Sequence, residues 1–242
     1  MREEQSAEHT LSSLVSRLQS TFGDNLVSVI LYGSAAVGDW NERNSDLNVL
    51  CALNRLTPHE LVQSEPVLRW WREQGSPSLL LMSADEVRSS TDCFPMEFHD
   101  MKEYRRVLAG VDIIRDLEID RSFYRAQVEH ELRAKQIRLR QKAAELFSQP
   151  QLLLNLLVDS VSTFCVLGRH ALILSGNEPR WKKQEIIAAL EDVLRRSLDG
   201  ANAILAIRTA GKRPADANPS AIFEKYLGEM GELVRFVDVL DR

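Results

Sequence analysis

Hydrophobic and polar positions follow two different periods along this chain. Leu11, Leu14, Val15 and Leu18 recur every three or four residues, which predicts an amphipathic helix over 8–22 that ends at Gly23. A short β-branched run over 26–32 stops at Gly33 and predicts a buried strand, and 46–53 has the same character. Thr57 as N-cap and Pro58 in the first turn predict a helix over 58–74. A third apolar run follows at 78–83, then a short helix over 84–89 and, after Pro95, an expected fourth strand over 96–101.

Beyond Asp116 the strand signals stop, and the pattern predicts helices over about 121–147, 150–175, 182–197, 200–209 and 219–240. Ser148-Gln149-Pro150, Gly176-Asn177-Glu178-Pro179 and Gly211-Lys212-Arg213-Pro214 supply the breaks between them. The expected architecture is α/β (α+β): a small mixed-sheet domain over 1–116, followed by an all-α helical bundle over 117–242.

Composition narrows the function classes. At 242 residues and 27.5 kDa the chain can bury two modest cores. A net charge of -5 and a pI near 5.6 argue against a general polyanion binder, so nucleic acid is not an expected partner. Cys51, Cys93 and Cys165 lie far apart in apolar surroundings with no metal-binding spacing, which reads as buried thiols in a reducing compartment. The polar, acidic start over 1–8 has no apolar segment of the secretory kind, and cytoplasm is the expected location. The most apolar run, 152–174, approaches spanning length but contains Asp159, Arg169 and His170; a helix buried in protein is expected, and no membrane partner.

The chemistry concentrates between the first two strands. A strand that ends in Gly33-Ser34 can turn sharply and bring its backbone close to a phosphate. Gly38 follows, then a polar loop, then Ser45-Asp46-Leu47-Asn48 at the mouth of the second strand. Positions 46 and 48 are two apart, so on a strand they aim at the same space above the turn.

On Gly33, Ser34, Gly38, Ser45 and Asp46 the chain resembles the nucleotidyltransferase superfamily of the DNA polymerase β type. The small domain followed by a helical bundle also looks like the aminoglycoside nucleotidyltransferase layout. The resemblance implies that Gly33, Ser34 and Ser45 hold the phosphates of a nucleoside triphosphate. It also implies Mg²⁺ on carboxylates at positions 46 and 48, transferring a nucleoside monophosphate to a hydroxyl of an unknown small-molecule or protein acceptor. The chain departs from this pattern at two places. Position 48 is Asn, which offers magnesium only a neutral carbonyl, so Asp46 with Asn48 makes a weak or nucleotide-dependent metal site. The strand over 78–83, where the third carboxylate belongs, has no acid; Glu97 and Asp100 are the nearest substitutes, with Glu97 taken as the catalytic carboxylate.

Other candidates have bland readings beside them. Arg133 and Lys135, early in the helix over 121–147, could contact triphosphate, or belong to a solvated charged face that includes Glu129 and Glu131. Either glutamate could also act as a base. His99 is a candidate acid or base, and Trp70-Trp71 either packs in the core or stacks on a base. Two functions follow: a nucleotidyltransferase with a degenerate metal site, or a catalytically inactive relative that binds nucleotide or protein.

Overall fold

The computed structural model describes residues 2–37, 47–211 and 217–240, and the chain divides into two compact units, Met1–Ser122 and Phe123–Arg242. Gly38, Ser45 and Asp46 therefore lie outside the described residues. In the first unit the elements run α1 (Arg2–Phe22), β1 (Leu26–Tyr32), α2 (Ser34–Val37), β2 (Asn48–Leu53), α3 (Pro58–Glu73), β3 (Leu80–Ser83), α4 (Ala84–Ser89), α5 (Pro95–Glu103) and β4 (Arg105–Gly110). The strands form one mixed sheet in the order β3-β2-β1-β4. β1 is antiparallel to both β2 and β4, and β2 is parallel to β3.

Both faces of this sheet are covered, which is why β1 and β2 read as unbroken apolar runs rather than alternating ones. Val29, Leu31, Val49, Cys51 and Leu53 cluster with Leu14 and Leu18 of α1 and with Val67 and Trp71 of α3. Ile30, Leu50 and Ala52 face the other way, onto Val87 of α4 and Phe98 and Met101 of α5. α3 begins with a reciprocal cap. The Glu60 carboxylate accepts from the Thr57 amide at 2.8 Å and the Thr57 hydroxyl at 2.5 Å, while Arg55 donates to it at 3.2 Å. The Thr57 hydroxyl is the main cause that holds the Glu60 carboxyl down to about 2, against the opposing push of burial.

The run 96–101 is a helix, and this corrects the strand expected there. Pro95 occupies the first turn of α5, where its missing N–H has no intrahelical partner to lose. Met96 and Phe98 imitate strand alternation over three residues, whereas Met101, three beyond Phe98, carries the helical period that buries this face. The fourth strand comes next, at β4, and its two arginines disguise it. Arg105 holds Asp112 through two bonds of 2.8 Å, and Arg106 holds Glu8 at 2.6 and 3.1 Å. Charge of this kind suits a sheet edge, which must discourage further pairing. Gly110 ends β4 at φ +77°, and a Cβ there would stand 2.0 Å from the Val27 carbonyl oxygen.

Among the described residues the second unit has five helices: α6 (Tyr124–Ala144), α7 (Pro150–Leu174), α8 (Lys183–Leu194), α9 (Asp199–Ala210) and α10 (Pro219–Asp238). α7 packs against each of the other four. That central place accounts for its apolar sequence: by length and composition it could cross a membrane, yet it buries Leu153, Leu157, Val161, Phe164 and Leu172 among its neighbours. Its polar residues are accommodated in the same way. The Arg169 guanidinium lies 4.4 Å from the Trp181 ring centre, and His170 Nδ1 is 2.5 Å from the Tyr124 hydroxyl. The N-terminus of α9 is held by the buried Glu229 carboxylate, which accepts from the Gly200 and Ala201 amides at 2.6 and 2.8 Å. Of the three cysteines, Cys51 and Cys165 are buried as expected, but Cys93 is exposed in the turn before α5, which corrects the reading of three buried thiols.

Two predictions follow from these contacts. The stabilising contribution of Glu60 is complete above the ordinary carboxylate value of 4.5 and is lost as pH falls from there toward 2. Thermal unfolding between pH 5 and 3 should therefore show a smaller acid-induced drop in Tm for Glu60→Gln than for the wild type. Gly75 and Gly110 share a left-handed backbone, but only Gly110 has a neighbour in the way of a side chain. Denaturant unfolding should give a loss of about 1–2 kcal/mol for Gly75→Ala from backbone strain alone. For Gly110→Ala, strain plus overpacking should bring it to roughly 2–5 kcal/mol; equal losses would mean that the β1–β4 approach is not tight.

Candidate functional site

The corner of the sheet where β1 ends and β2 begins is built by a register. Antiparallel pairing sets Tyr32 opposite Asn48, Leu31 opposite Val49 and Ile30 opposite Leu50. Residues directly opposite one another project to the same face, so Tyr32 and Asn48 both stand on the face covered by α4 and α5. Tyr32 packs there against the cluster that contains Phe98 and Met101. At Gly33 the chain takes φ +76°, a conformation that glycine adopts without strain, and α2 starts at Ser34. The Ala36 amide donates back to the Gly33 carbonyl at 3.0 Å, which closes the turn.

Asn48 lies directly against this turn. Its Nδ2 is 3.0 Å from the point a Cβ on Gly33 would occupy, followed by its Cγ at 3.8 Å and Cβ at 3.9 Å, so the side-chain amide packs against the glycine. Neither the Asn48 amide nor the Ser34 hydroxyl has a hydrogen-bond partner among the described residues. The arrangement gives the turn one open amide and one open hydroxyl, both able to donate to an anion. For magnesium, which requires oxygen, position 48 offers at most the neutral amide oxygen in place of a carboxylate. The Asp46 half of the expected metal pair, and Ser45 beside it, fall outside the described residues.

Glu97, on α5, lies within electrostatic range of this corner. Burial raises the Tyr32 phenol above its ordinary pKa, and the Glu97 charge adds to the shift, so carboxylate and phenol are electrostatic neighbours. Because 96–101 is helical, Glu97 and Asp100 are three apart on a helix and share a side, where a strand would have divided them. Glu97 is exposed and Asp100 half-buried, while His99 is buried with Nδ1 3.8 Å from the Asp100 carboxylate. Tyr32 is the member of this corner that the sequence reading missed. Its signal was its place as the last residue of the strand, two beyond buried Ile30 and therefore on the same face.

The remaining candidates are committed elsewhere. Arg133 pairs with Glu129 at 2.7 Å and Asp238 at 3.7 Å, and Lys135 pairs with Glu131 at 3.7 Å, all within the helical unit. Arg133, with Arg125, keeps the Glu129 carboxyl below its ordinary pKa, which makes it a weak base. Trp71 is fully buried in the sheet core, and Trp70 lies under the Arg17 guanidinium, 4.4 Å from its ring centre, so both tryptophans serve packing. A groove of ≈ 620 Å³ on the helical unit, beside Gln136, Arg140, Gly228 and Gly231, is lined in part by ions already paired: Arg196 and Arg235 share Glu232, and Lys225 faces Asp199. A second of ≈ 490 Å³, beside Asn25, Asn54 and Glu60, lies at the opposite end of the sheet from Gly33.

No protein-family model matches the chain, and no curated protein matches it. Among solved structures it is similar to spectinomycin adenyltransferase AAD(9) from Enterococcus faecialis, determined with ATP and spectinomycin. The TM-score is 0.61 at 14% identity, over 93% of this chain and 99% of that one. At this identity the likeness is one of fold, and it extends through both units. This chain has a nucleotidyltransferase fold: a small mixed-sheet α/β domain followed by a helical one.

Proposed function

We propose that this protein binds a nucleoside triphosphate at the Gly33-Ser34 turn and transfers the nucleoside monophosphate to a hydroxyl of a small-molecule or protein acceptor. The observation that carries this reading is the left-handed Gly33 turn with an open amide and an open hydroxyl beside it, at the end of β1 in a nucleotidyltransferase fold. Ser34, with Ser45, holds phosphate oxygens. Glu97 takes the proton of the acceptor hydroxyl as its oxygen attacks the α-phosphorus, and the bond to pyrophosphate breaks. Exposure suits Glu97 to this task, since the acceptor must reach it. Asp46 is assigned to magnesium, which when bound would neutralise charge on the phosphates.

The second reading, a nucleotide-binding module without turnover, is favoured by Asn48, which stands where a second carboxylate is expected. The two are separated by offering ATP and the other triphosphates, with Mg²⁺ or Mn²⁺, to an acceptor panel that begins with spectinomycin, the compound bound to the structural neighbour. Pyrophosphate release is the expected outcome. It should fall by about 10²-fold or more in Asp46→Ala and in Glu97→Gln. Tight ATP binding with no release for any acceptor would decide for the module.

A further inference from the structure

We infer that Asn48 is a direct phosphate ligand, a neutral N–H donor that grips the nucleotide at the Gly33 turn in place of a metal bridge. The inference rests on nucleotide binding at this turn, and it changes what holds the nucleotide there. Two geometric facts carry it. The Asn48 side-chain amide lies against the turn, its nitrogen 3.0 Å from the Gly33 Cβ point and free to rotate toward a ligand, and the amide has no partner among the described residues. A half-buried amide that is left open beside an open Ser34 hydroxyl is suited to an anion that supplies the missing acceptors.

The chemistry of the side chain explains the consequence. A carboxylate at this point would repel phosphate oxygens at close range and could approach them only through a shared cation. The amide has nearly the same shape, carries no charge and donates directly, so one change of functional group replaces a metal-mediated contact by a hydrogen bond. Gly33 is part of the same device, because a side chain there would press on the Asn48 nitrogen. Binding at this position therefore does not need a divalent ion.

The test is calorimetric titration of the full chain with ATP, in EDTA and in Mg²⁺, for wild type, Asn48→Asp and Asn48→Ala. Wild-type affinity should change by less than about fivefold between the two conditions, whereas Asn48→Asp should bind at least about tenfold more weakly in EDTA and recover in Mg²⁺. Asn48→Ala, which has neither donor nor charge, should lose about tenfold in both conditions. A wild type that binds ATP only with Mg²⁺ overturns the inference and leaves nucleotide binding standing, as does an Asn48→Ala variant that binds like wild type. A wild type that binds ATP in neither condition overturns both. The EDTA comparison on wild type requires no variant to fold.

Discussion

The pairing of β1 with β2 is the constraint on which the site depends. Tyr32 stands opposite Asn48 because Ile30 and Leu50 must share one buried face and Leu31 and Val49 the other. A slip of one residue would exchange the two apolar sets and carry Asn48 to the far side of the sheet, away from Tyr32 and α5. With helices against both faces, each set of side chains is fitted to its own neighbours, so the exchange would disrupt the packing of both clusters. The core thus fixes the direction of a polar side chain that contributes nothing to it.

That direction gives position 48 its meaning. The resemblance to nucleotidyltransferases supplies an expectation, two carboxylates above a glycine turn. The geometry supplies a different pair, an amide nitrogen and a serine hydroxyl beside Gly33. Glu97 adds a carboxylate from the adjoining helix, close enough to act on the Tyr32 phenol. The corner thus has the left-handed glycine turn that the resemblance leads one to expect, with an amide where a second carboxylate is expected. The fold likeness to an adenyltransferase at 14% identity is consistent with this, because backbone architecture persists when the residues that define chemistry change.

The helical unit solves a separate problem. Its central helix α7 is apolar enough to suit a bilayer, and four neighbouring helices cover it instead. The basic residues of α6 that resembled a phosphate-binding face are neutralised one turn away, Arg133 by Glu129 and Lys135 by Glu131. Pairs at that spacing contribute a few tenths of a kcal/mol each, and they explain a charged face without a ligand.

Much of the fold was legible because local chemistry settles it. Thr57, Pro58 and Glu60 specify the start of α3 by themselves, and β1 and α4 occupy the residues their apolar and capping patterns indicate. The Gly33-Ser34 turn was legible for the same reason: a glycine that ends an apolar strand marks a backbone that must turn. The helical nature of 96–101 and the strand at Arg105–Gly110 were not legible. Their identity rests on long-range partners, α5 on a sheet face and β4 on Glu8 and the edge of β1, which no short window contains. The site divides along the same line. The sequence alone determined which residue types stand at 33, 34 and 48. Only the tertiary structure decided that the Asn48 side chain lies against the turn and that Glu97 is an electrostatic neighbour of Tyr32, because their placement is set by the register of two strands and the packing of a helix from elsewhere in the chain.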